Sequence, residues 1–534
     1  MECFDCVVVG AGLYGLTAAR QFHYTQPSQS LLILDSQSSL GGTWAQERLY
    51  PGLKTNNILG GYEIPGFPLD PTRFGIKKGE HIKGVIVHAY LAAYARDNGI
   101  AECIRLNQDV LSAEHQDGGG WILTIEGDKP KVFARRLIVS TGQVSIPYMP
   151  TFKGQENFGG RIFHAKHFSE NSDTIKTAKS VTVFGATKFA WDAVYAYASA
   201  GVKVNWIIRA SGHGPCWMAS IYATPFKIWR EPLANTRLLT FFSPCIWGDS
   251  DGYGLIRRLI HGTRLGRWIA DKIFKLMADD TWKQNNYDVH PNTAKLKPWT
   301  EFMFTATSIS ALNYDRDIYS LIKSDLVHVH IGELDHLGPG MVHLEDGTSF
   351  QSDVLLASTG WKHGPGIKFL PGGIASELGI PHESSDSAPR YDLANQHTEV
   401  EAADQYILEQ FPRLKRQSVW NPNYKPQSDM ASGKNGREAT PYMLYRFLVP
   451  SSPRFLRTRD IAFAGAMSNF SNAITAHMCG LWISAFFAGK RDLGLSPYRK
   501  GSWWGELVRP YGPGDYKGVE DEWLRVQGDE AGKN

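Results

Sequence analysis

Cysteine is scarce in this chain, with six among 534 residues, at positions 3, 6, 103, 216, 245 and 479. A secreted disulfide scaffold is short and cysteine-dense, so that class is excluded and a reducing, cytoplasmic setting is expected. An excess of charge of one sign is missing too. Fifty-six Lys and Arg stand against 53 Asp and Glu, a formal net charge of +3, and a sum so near balance provides no global attraction to nucleic acid. No clean apolar run reaches the roughly 20 residues that a membrane span needs. The most apolar stretch, 470–488, is interrupted by Asn472, Thr475, His477 and Ser484 and is expected as a buried helix. No basic n-region and apolar run precede the first strand, so no secretory signal is expected. Zinc-type Cys/His spacing is also lacking and no metal is expected; His328 and His330 share one face of a strand. What the chain does have is bulk. Hydrophobic positions make up 43% and charged ones 20%, enough for a large core divided among two or three domains.

The segment from Asp5 to Asp35 runs strand, glycine turn, helix, strand. Val7-Val8-Val9 is a short buried strand, Gly10-Ala11-Gly12-Leu13-Tyr14-Gly15 is a complete GxGxxG, a helix follows from Leu16, and 31–34 is a second strand ending at Asp35. Gly10 permits the turn, Gly12 lets a pyrophosphate reach backbone N–H groups, and Gly15 lets helix and sheet approach. The helix N-terminus carries about half a positive charge for the pyrophosphate, and Asp35, about 20 residues on, accepts hydrogen bonds from a ribose. Leu13 and Tyr14 lie inside the same expected site.

The pattern recurs, altered. Val181 to Phe184 is a strand, Gly185-Ala186-Thr187-Lys188-Phe189-Ala190-Trp191-Asp192 is the turn and helix start, and Val202 to Ile208 is the next strand, ending at Arg209. Thr187 and Ala190 replace the second and third glycines. Lys188 offers charge to a phosphate, and Arg209 stands where an NAD-selective site has an acid, which suits the 2′-phosphate of NADPH. Gly185, Thr187, Lys188, Asp192 and Arg209 are therefore the expected NADPH site.

Between the two units, Phe158-Gly159-Gly160-Arg161-Ile162-Phe163-His164-Ala165-Lys166-His167-Phe168 fits F-x-G-x-x-x-H-x-x-x-[F/Y]. With Gly41-Gly42-Thr43-Trp44 after Asp35, this string resembles the fingerprint of the flavin-containing monooxygenases and their Baeyer–Villiger relatives, the class B flavoprotein monooxygenases. Phe168-Ser169 departs from the Trp ending of the Baeyer–Villiger branch and favours N- or S-oxygenation. Further likenesses are Ser140-Thr141-Gly142, Ala357-Ser358-Thr359-Gly360-Trp361 and Asp460 to Gly465, the last like the final strand of an FAD domain. The segment Ile208 to Pro215 and Leu312-Asn313-Tyr314-Asp315 most resemble fungal enzymes of secondary metabolism.

The resemblance implies an α/β fold of two Rossmann-like dinucleotide-binding domains, the NADPH domain inserted in the FAD domain, with a helical aromatic-rich insertion. The expected division is residues 1–165 and 346–490 for FAD, 175–345 for NADPH with a substrate or lid insertion at 211–313, and a tail at 491–534. It adds Gly42, Thr43, Trp44, Thr55, Asn56, Thr141, Thr359 and Gly360 to the cofactor residues. It also implies the chemistry. NADPH reduces the flavin, O2 adds to give a hydroperoxide, and one oxygen atom passes to a small organic substrate, with Asn56 as the catalytic hydrogen-bond donor. N-, S- or C-oxygenation, Baeyer–Villiger insertion, and an FAD-dependent oxidase that ignores NADPH remain open readings at this point, as does a flavin-binding scaffold. Oligomeric state is not legible.

Three other features bear on the reading. Residues 255–277 have apolar positions at helical spacing with Arg257, Arg258, Arg264, Arg267, Lys272 and Lys275 interleaved, a pattern of a packed helix with a solvated basic face or of a peripheral membrane contact. Cys3-x-x-Cys6 overlaps the first strand and is expected as buried structure. Residues 376–434 are rich in Ser, Asp, Pro and Asn and are expected as surface connections.

Overall fold

The computed structural model describes residues 1–305, 309–362, 364–382, 393–416, 421–425, 440–467, 469–490 and 492–531. The chain opens with strand β1 (Glu2–Val9), helix α1 (Leu13–Thr25) and strand β2 (Leu31–Leu34). β1 pairs in parallel with β2 and, on its other side, with β6 (Val132–Val139). β3 (Ile104–Arg105) extends the sheet beyond β2, while β4 (Val110–His115) and β5 (Trp121–Ile125) form an antiparallel pair that joins the first half of β6.

Alternation along β1 supplies two cores. Side chains two apart on a strand share a face, so Cys6 and Val8 enter a core with α1 and with α2 (Gly84–Asp97), whereas Val7 and Val9 enter one with Trp121, Leu137 and Phe369. Both faces are covered, which is why the strand is continuously apolar rather than alternating. Cys3 is exposed and Cys6 buried on β1, both with free thiols.

The second sheet is wholly parallel and five-stranded, in the order β10 (Val327–Ile331), β9 (Lys203–Ile208), β8 (Ser180–Phe184), β11 (Val354–Ala357) and β7 (Arg161–His164). Helix α3 (Lys188–Ser199) follows β8. Here too the pleat serves two cores: Val181, Val183 and Trp206 pack with Trp191 on one face, and Phe184, Ile207 and Leu355 pack with Phe152 and Phe158 on the other. This sheet draws β7 from before residue 175 and β11 from after residue 345, so it gathers strands from a wider stretch than the 175–345 expected for it. His328 and His330 lie on β10.

The described residues of 211–313 lie outside the two large sheets and carry the helices α4 (Gly254–Gly262) and α5 (Arg264–Asn285). The continuous helical spacing of 255–277 is broken at Thr263, whose backbone is extended and whose hydroxyl caps α5 by accepting from Gly266 N–H at 3.0 Å. Trp217 stacks on Trp282 with ring centroids 5.6 Å apart and closes a small apolar core with Phe302.

The chain then returns to the first sheet. β12 (Lys368–Leu370) pairs in parallel with β4, and β13 (Ile461–Phe463) with the second half of β6. Helix α6 (Leu393–Gln410) lies within the stretch expected as surface connections; residues 383–392, 417–420 and 426–434 of that stretch lie outside the described residues. Helix α7 (Asn472–Phe487) is the buried helix expected there, packing its Ala473, Ala476 and Gly480 beside α1.

Each unit turns from strand to helix in the same way. At the end of β1, Gly10 has φ +111°, and at the end of β8, Gly185 has φ +120°. A β-carbon on Gly10 would fall 2.4 Å from Ser140 O, and one on Gly185 2.3 Å from Ser358 O. Gly15 completes the first turn, since its β-carbon would sit 1.8 Å from Gly10 O. Gly15→Ala is therefore expected to destabilise the protein by about 1–3 kcal/mol or more, read as a lower urea midpoint. Gly262→Ala, where nothing lies within 4 Å of the added carbon, serves as the control and should change stability by no more than about 1 kcal/mol.

Candidate active site

A cavity of about 900 Å³ opens where the C-terminal ends of β1 and β2 meet the start of α3. Gly10, Gly12, Leu13, Tyr14, Asp35, Gly42, Thr43, Trp44, Thr55, Asn56, Thr141, Lys188 and Asp192 all line it. The described lining does not include Gly15, Gly185, Thr187, Arg209, Thr359 or Gly360.

The end near α1 fits a dinucleotide. A β-carbon on Gly12 would point at Gly42 Cα from 3.6 Å, and one on Gly42 at Gly12 Cα from 3.1 Å, so two bare backbones form a slot at a helix N-terminus. Asp35 closes the slot. Its Oδ2 accepts from Ala11 N–H at 2.6 Å and its Oδ1 from Gln37 N–H at 2.9 Å. Burial raises its pKa, and those two N–H groups oppose the rise. Each carboxylate oxygen retains a lone pair for a further donor. Tyr14 Oη donates to Asn472 Oδ1 at 3.2 Å, and its ring packs on Gly465. Trp44 Nε1 donates to Tyr62 Oη at 2.9 Å.

Asn56 sits on the strand Lys54–Ile58, fixed by one contact of its own and two made by the residues before it. Its Oδ1 accepts from Ala311 N–H at 3.2 Å. Asn313 Nδ2 donates to the carbonyls of Lys54 and Thr55, at 3.2 and 3.1 Å. With the carboxamide oxygen occupied, the two Nδ2–H donors are left for an acceptor in the cavity. Thr55 is committed elsewhere: its hydroxyl donates to Asn57 O at 2.6 Å and accepts from Ile82 N–H at 3.0 Å.

Lys188 is held more tightly than a phosphate ligand needs. Its Nζ donates to Asp192 Oδ1, to Asn313 Oδ1 at 2.9 Å and to Tyr314 Oη at 3.1 Å. Asp192 also accepts from Tyr50 Oη at 2.7 Å and Tyr314 Oη at 2.8 Å. This buried cluster ties α3 to the segment around residues 50–56 and to Asn313-Tyr314. Thr187 is exposed, with its Oγ1 2.8 Å from Ser358 Oγ. Arg209 donates from Nη2 to Lys425 O at 2.7 Å, outside the cavity. Thr359 donates to Tyr148 O, and Tyr148 N–H donates to Gly360 O at 3.1 Å. These two residues join the outgoing and returning crossovers, where Pro147 bridges Trp361.

Reading the sequence missed several lining residues. Arg48 and Lys166 add two cations; burial lowers the pKa of both. Arg48 Nη2 donates to Val144 O at 3.1 Å and Lys166 Nζ to Ser145 O at 2.7 Å. Lys166 lies within the Phe158–Phe168 string and was accessible from it; Arg48 had no such signal. Glu231 reaches across from the insertion, accepting from Asn57 Nδ2 at 2.5 Å and Ile58 N–H at 3.0 Å, and burial raises its pKa. The described residues of 211–313 thus brace Asn56 and Asn57 from behind without lining the cavity.

Two glycine-turn βαβ units around one cavity, with an acid closing the first, define a two-dinucleotide-fold oxidoreductase. Residues 7–227 match the pyridine nucleotide-disulphide oxidoreductase family, although no cysteine lines the cavity. An FAD-dependent monooxygenase of Pyrenophora dematioidea is 31% identical, over 91% of this chain and 88% of that protein. Another, from Aspergillus nomiae, is 28% identical over 98% of this chain and 99% of its own length. Among solved structures, closed cyclohexanone monooxygenase superposes with TM-score 0.52 at 18% identity, over 69% of this chain and 73% of that one. The OTEMO complex with FAD and NADP gives 0.52 at 20%, over 70% and 75%. These structures share the fold, and the chain belongs to the FAD-dependent monooxygenases.

His164, from the Phe158–Phe168 string, is buried against Trp361 with ring centroids 5.0 Å apart. Its Nδ1 accepts from Lys166 N–H at 3.0 Å. Burial pushes its pKa from the ordinary 6.5 down to about 4. A folded-state pKa below the unfolded one favours the neutral ring, so its contribution is present above pH 6.5 and is lost as pH falls toward 4. Urea midpoints measured across that window should fall with pH, and His164→Gln should flatten the slope.

Proposed function

We propose that this monooxygenase takes electrons from NADPH and places one atom of O2 on a small organic molecule, a secondary metabolite, by N-, S- or C-oxygenation. Overall, NADPH, a proton, O2 and substrate give NADP+, water and oxygenated product. The reading rests on one observation above others: Asn56 lines the cavity where the two βαβ units meet, and Ala311 occupies its amide oxygen and leaves its N–H donors for another partner. When bound, FAD supplies the redox chemistry, accepting hydride and passing electrons to O2.

The chain's own residues have separable roles. Asp35 would accept hydrogen bonds from the adenosine ribose, held in place by Ala11 and Gln37 N–H. The slot between Gly12 and Gly42 would admit the pyrophosphate to the N-terminus of α1, with Leu13, Tyr14, Thr43, Trp44 and Thr141 around it. Arg48 and Lys166 bring positive charge to the same cavity. Asn56 would donate to negative charge developing on oxygen, a neutral donor preorganised by its backbone grip. Gly185, Thr187 and Arg209 belong to the NADPH side, and the Lys188–Asp192 pair acts there by positioning α3 against the segment around residue 50.

A second reading, an FAD-dependent oxidase indifferent to NADPH, is favoured by the saturation of Lys188 and by the place of Arg209 outside the cavity. NADPH oxidation that consumes O2 and rises with substrate supports the first reading. Bleaching of the flavin by substrate alone supports the second.

Two variants test the residue roles. Asp35→Ala should weaken FAD binding roughly tenfold or more, through loss of charge-assisted hydrogen bonds of about 1.5–3 kcal/mol; unchanged flavin affinity removes the assignment. Asn56→Ala should retain FAD and accept hydride normally but release more hydrogen peroxide per NADPH. Deleting one preorganised donor elsewhere costs on the order of 2.7–4 kcal/mol, and a fraction of that shifts partitioning visibly. Stopped-flow reoxidation with peroxide detection reads the effect, and coupling equal to the parent's would leave Asn56 only a structural role on its strand.

A further inference from the structure

Helix α4 is inside out. Its inward stripe is Gly254, Arg257 and His261, while Leu255, Ile256 and Leu259 face outward. The polar residues are anchored. Arg257 donates to Gly248 O and to both oxygens of Asp251, at 2.6, 2.6 and 2.8 Å, and lies 4.7 Å over the Phe241 ring. His261 Nε2 donates to Phe241 O at 2.9 Å. These bonds prevent the helix from rolling its apolar side inward, since doing so would strand a buried guanidinium without its acid.

Helix α5 continues the exposed face. Leu265, Trp268, Ile269 and Leu276 recur at intervals of three, one and seven residues, which places them on one side of the helix. Leu255, Leu259, Leu265, Trp268 and Leu276 are between 56% and 67% exposed. Single exposed apolar residues are ordinary, whereas a contiguous face marks a docking site. Gly266 binds the two helices closely at the turn, where its β-carbon would meet Leu259 O at 2.3 Å.

Charge chooses the occupant. The acids on α5 are already paired: Asp271 with Arg413 at 2.9 Å, Asp279 with Lys275 at 2.7 Å and Asp280 with Arg230 at 2.5 Å. Arg258, Arg264 and Lys272 have no acidic partner among the described residues, and Lys272 leans over the Trp268 ring at 5.6 Å. A second copy of this face would bring the same cations against themselves in a two-fold contact. An anionic bilayer instead offers acyl chains to the leucines and headgroup charge to the rim, with indole and ammonium groups at the boundary. Among the described residues no helix is long and apolar enough to cross a membrane, so the contact lies in the interface.

We propose that α4 and α5 form a peripheral docking surface for anionic lipid membranes, independent of the oxygenation reading. The test is co-sedimentation of the full-length holoenzyme with vesicles of phosphatidylcholine alone or mixed with phosphatidylserine. The parent protein should pellet with the anionic vesicles, less with neutral ones, and less as salt is raised. Arg264→Gln/Lys272→Gln should weaken the association by roughly fivefold for each cation removed. Leu255→Ser/Leu259→Ser/Trp268→Ser should abolish it while leaving FAD content and circular dichroism unchanged. Failure of the parent to pellet with either vesicle overturns the proposal, as does equal pelleting of both variants. Conversion of a parent dimer to a monomer by the leucine and tryptophan changes, without vesicle binding, assigns the face to a second copy instead.

Discussion

The constraint on which the rest depends is a close approach between a carbonyl oxygen and a bare α-carbon. At the end of β1, Ser140 O occupies the space a side chain on Gly10 would need, and at the end of β8, Ser358 O does the same to Gly185. In each unit the serine follows the neighbouring parallel strand and donates its N–H back to the first, to Val9 O at 2.8 Å and to Phe184 O at 2.7 Å. That contact seats strand, turn and helix at one angle. It leaves the helix N-terminus open at the carboxyl end of the sheet, where α/β folds bind ligands. The two units are one physical solution used twice.

The uses differ because the next residue differs. Gly12 faces Gly42 across a slot that a side chain would block, and the slot belongs to the cavity. Thr187, at the corresponding point of the second turn, is exposed and bonded to Ser358. Behind it, Lys188 and Asp192 turn inward to Tyr50, Asn313 and Tyr314. A pair placed to face a phosphate instead fastens α3 to Tyr50 and to Asn313-Tyr314. The desolvation of that ion pair is offset by four hydrogen bonds with three neutral partners around it.

The insertion has a similar double character. Toward the cavity it provides Ala311 N–H, Asn313 and Glu231, polar groups that hold the strand from Lys54 to Ile58. Away from the cavity it turns leucine and tryptophan outward. Both follow from polar residues claiming the interior. Arg257 and His261 are buried with partners, so the apolar side chains nearest them on α4 are displaced to the surface.

Much of this was legible beforehand. The two βαβ units, the buried helix near the C-terminus and the acid at 35 with Gly10 and Gly12 followed from local grammar, because glycine turns and strand periodicity are short-range properties; Gly42, Trp44, Thr55 and Asn56, which line the same cavity, were expected only from the family resemblance. Tertiary structure decided what depends on partners distant in sequence. It made Lys188 an internal strut through Asn313, some 125 residues on. It set Arg209 beside Lys425, gave Thr359 to the crossover, and brought Arg48 into the cavity. It also broke the helical spacing of 255–277 at Thr263 and turned its apolar face outward. Spacing fixes which residues share a side of a helix, but only the surrounding chain determines which side is buried, and here an acid at 251 waiting for Arg257 outweighed the leucines.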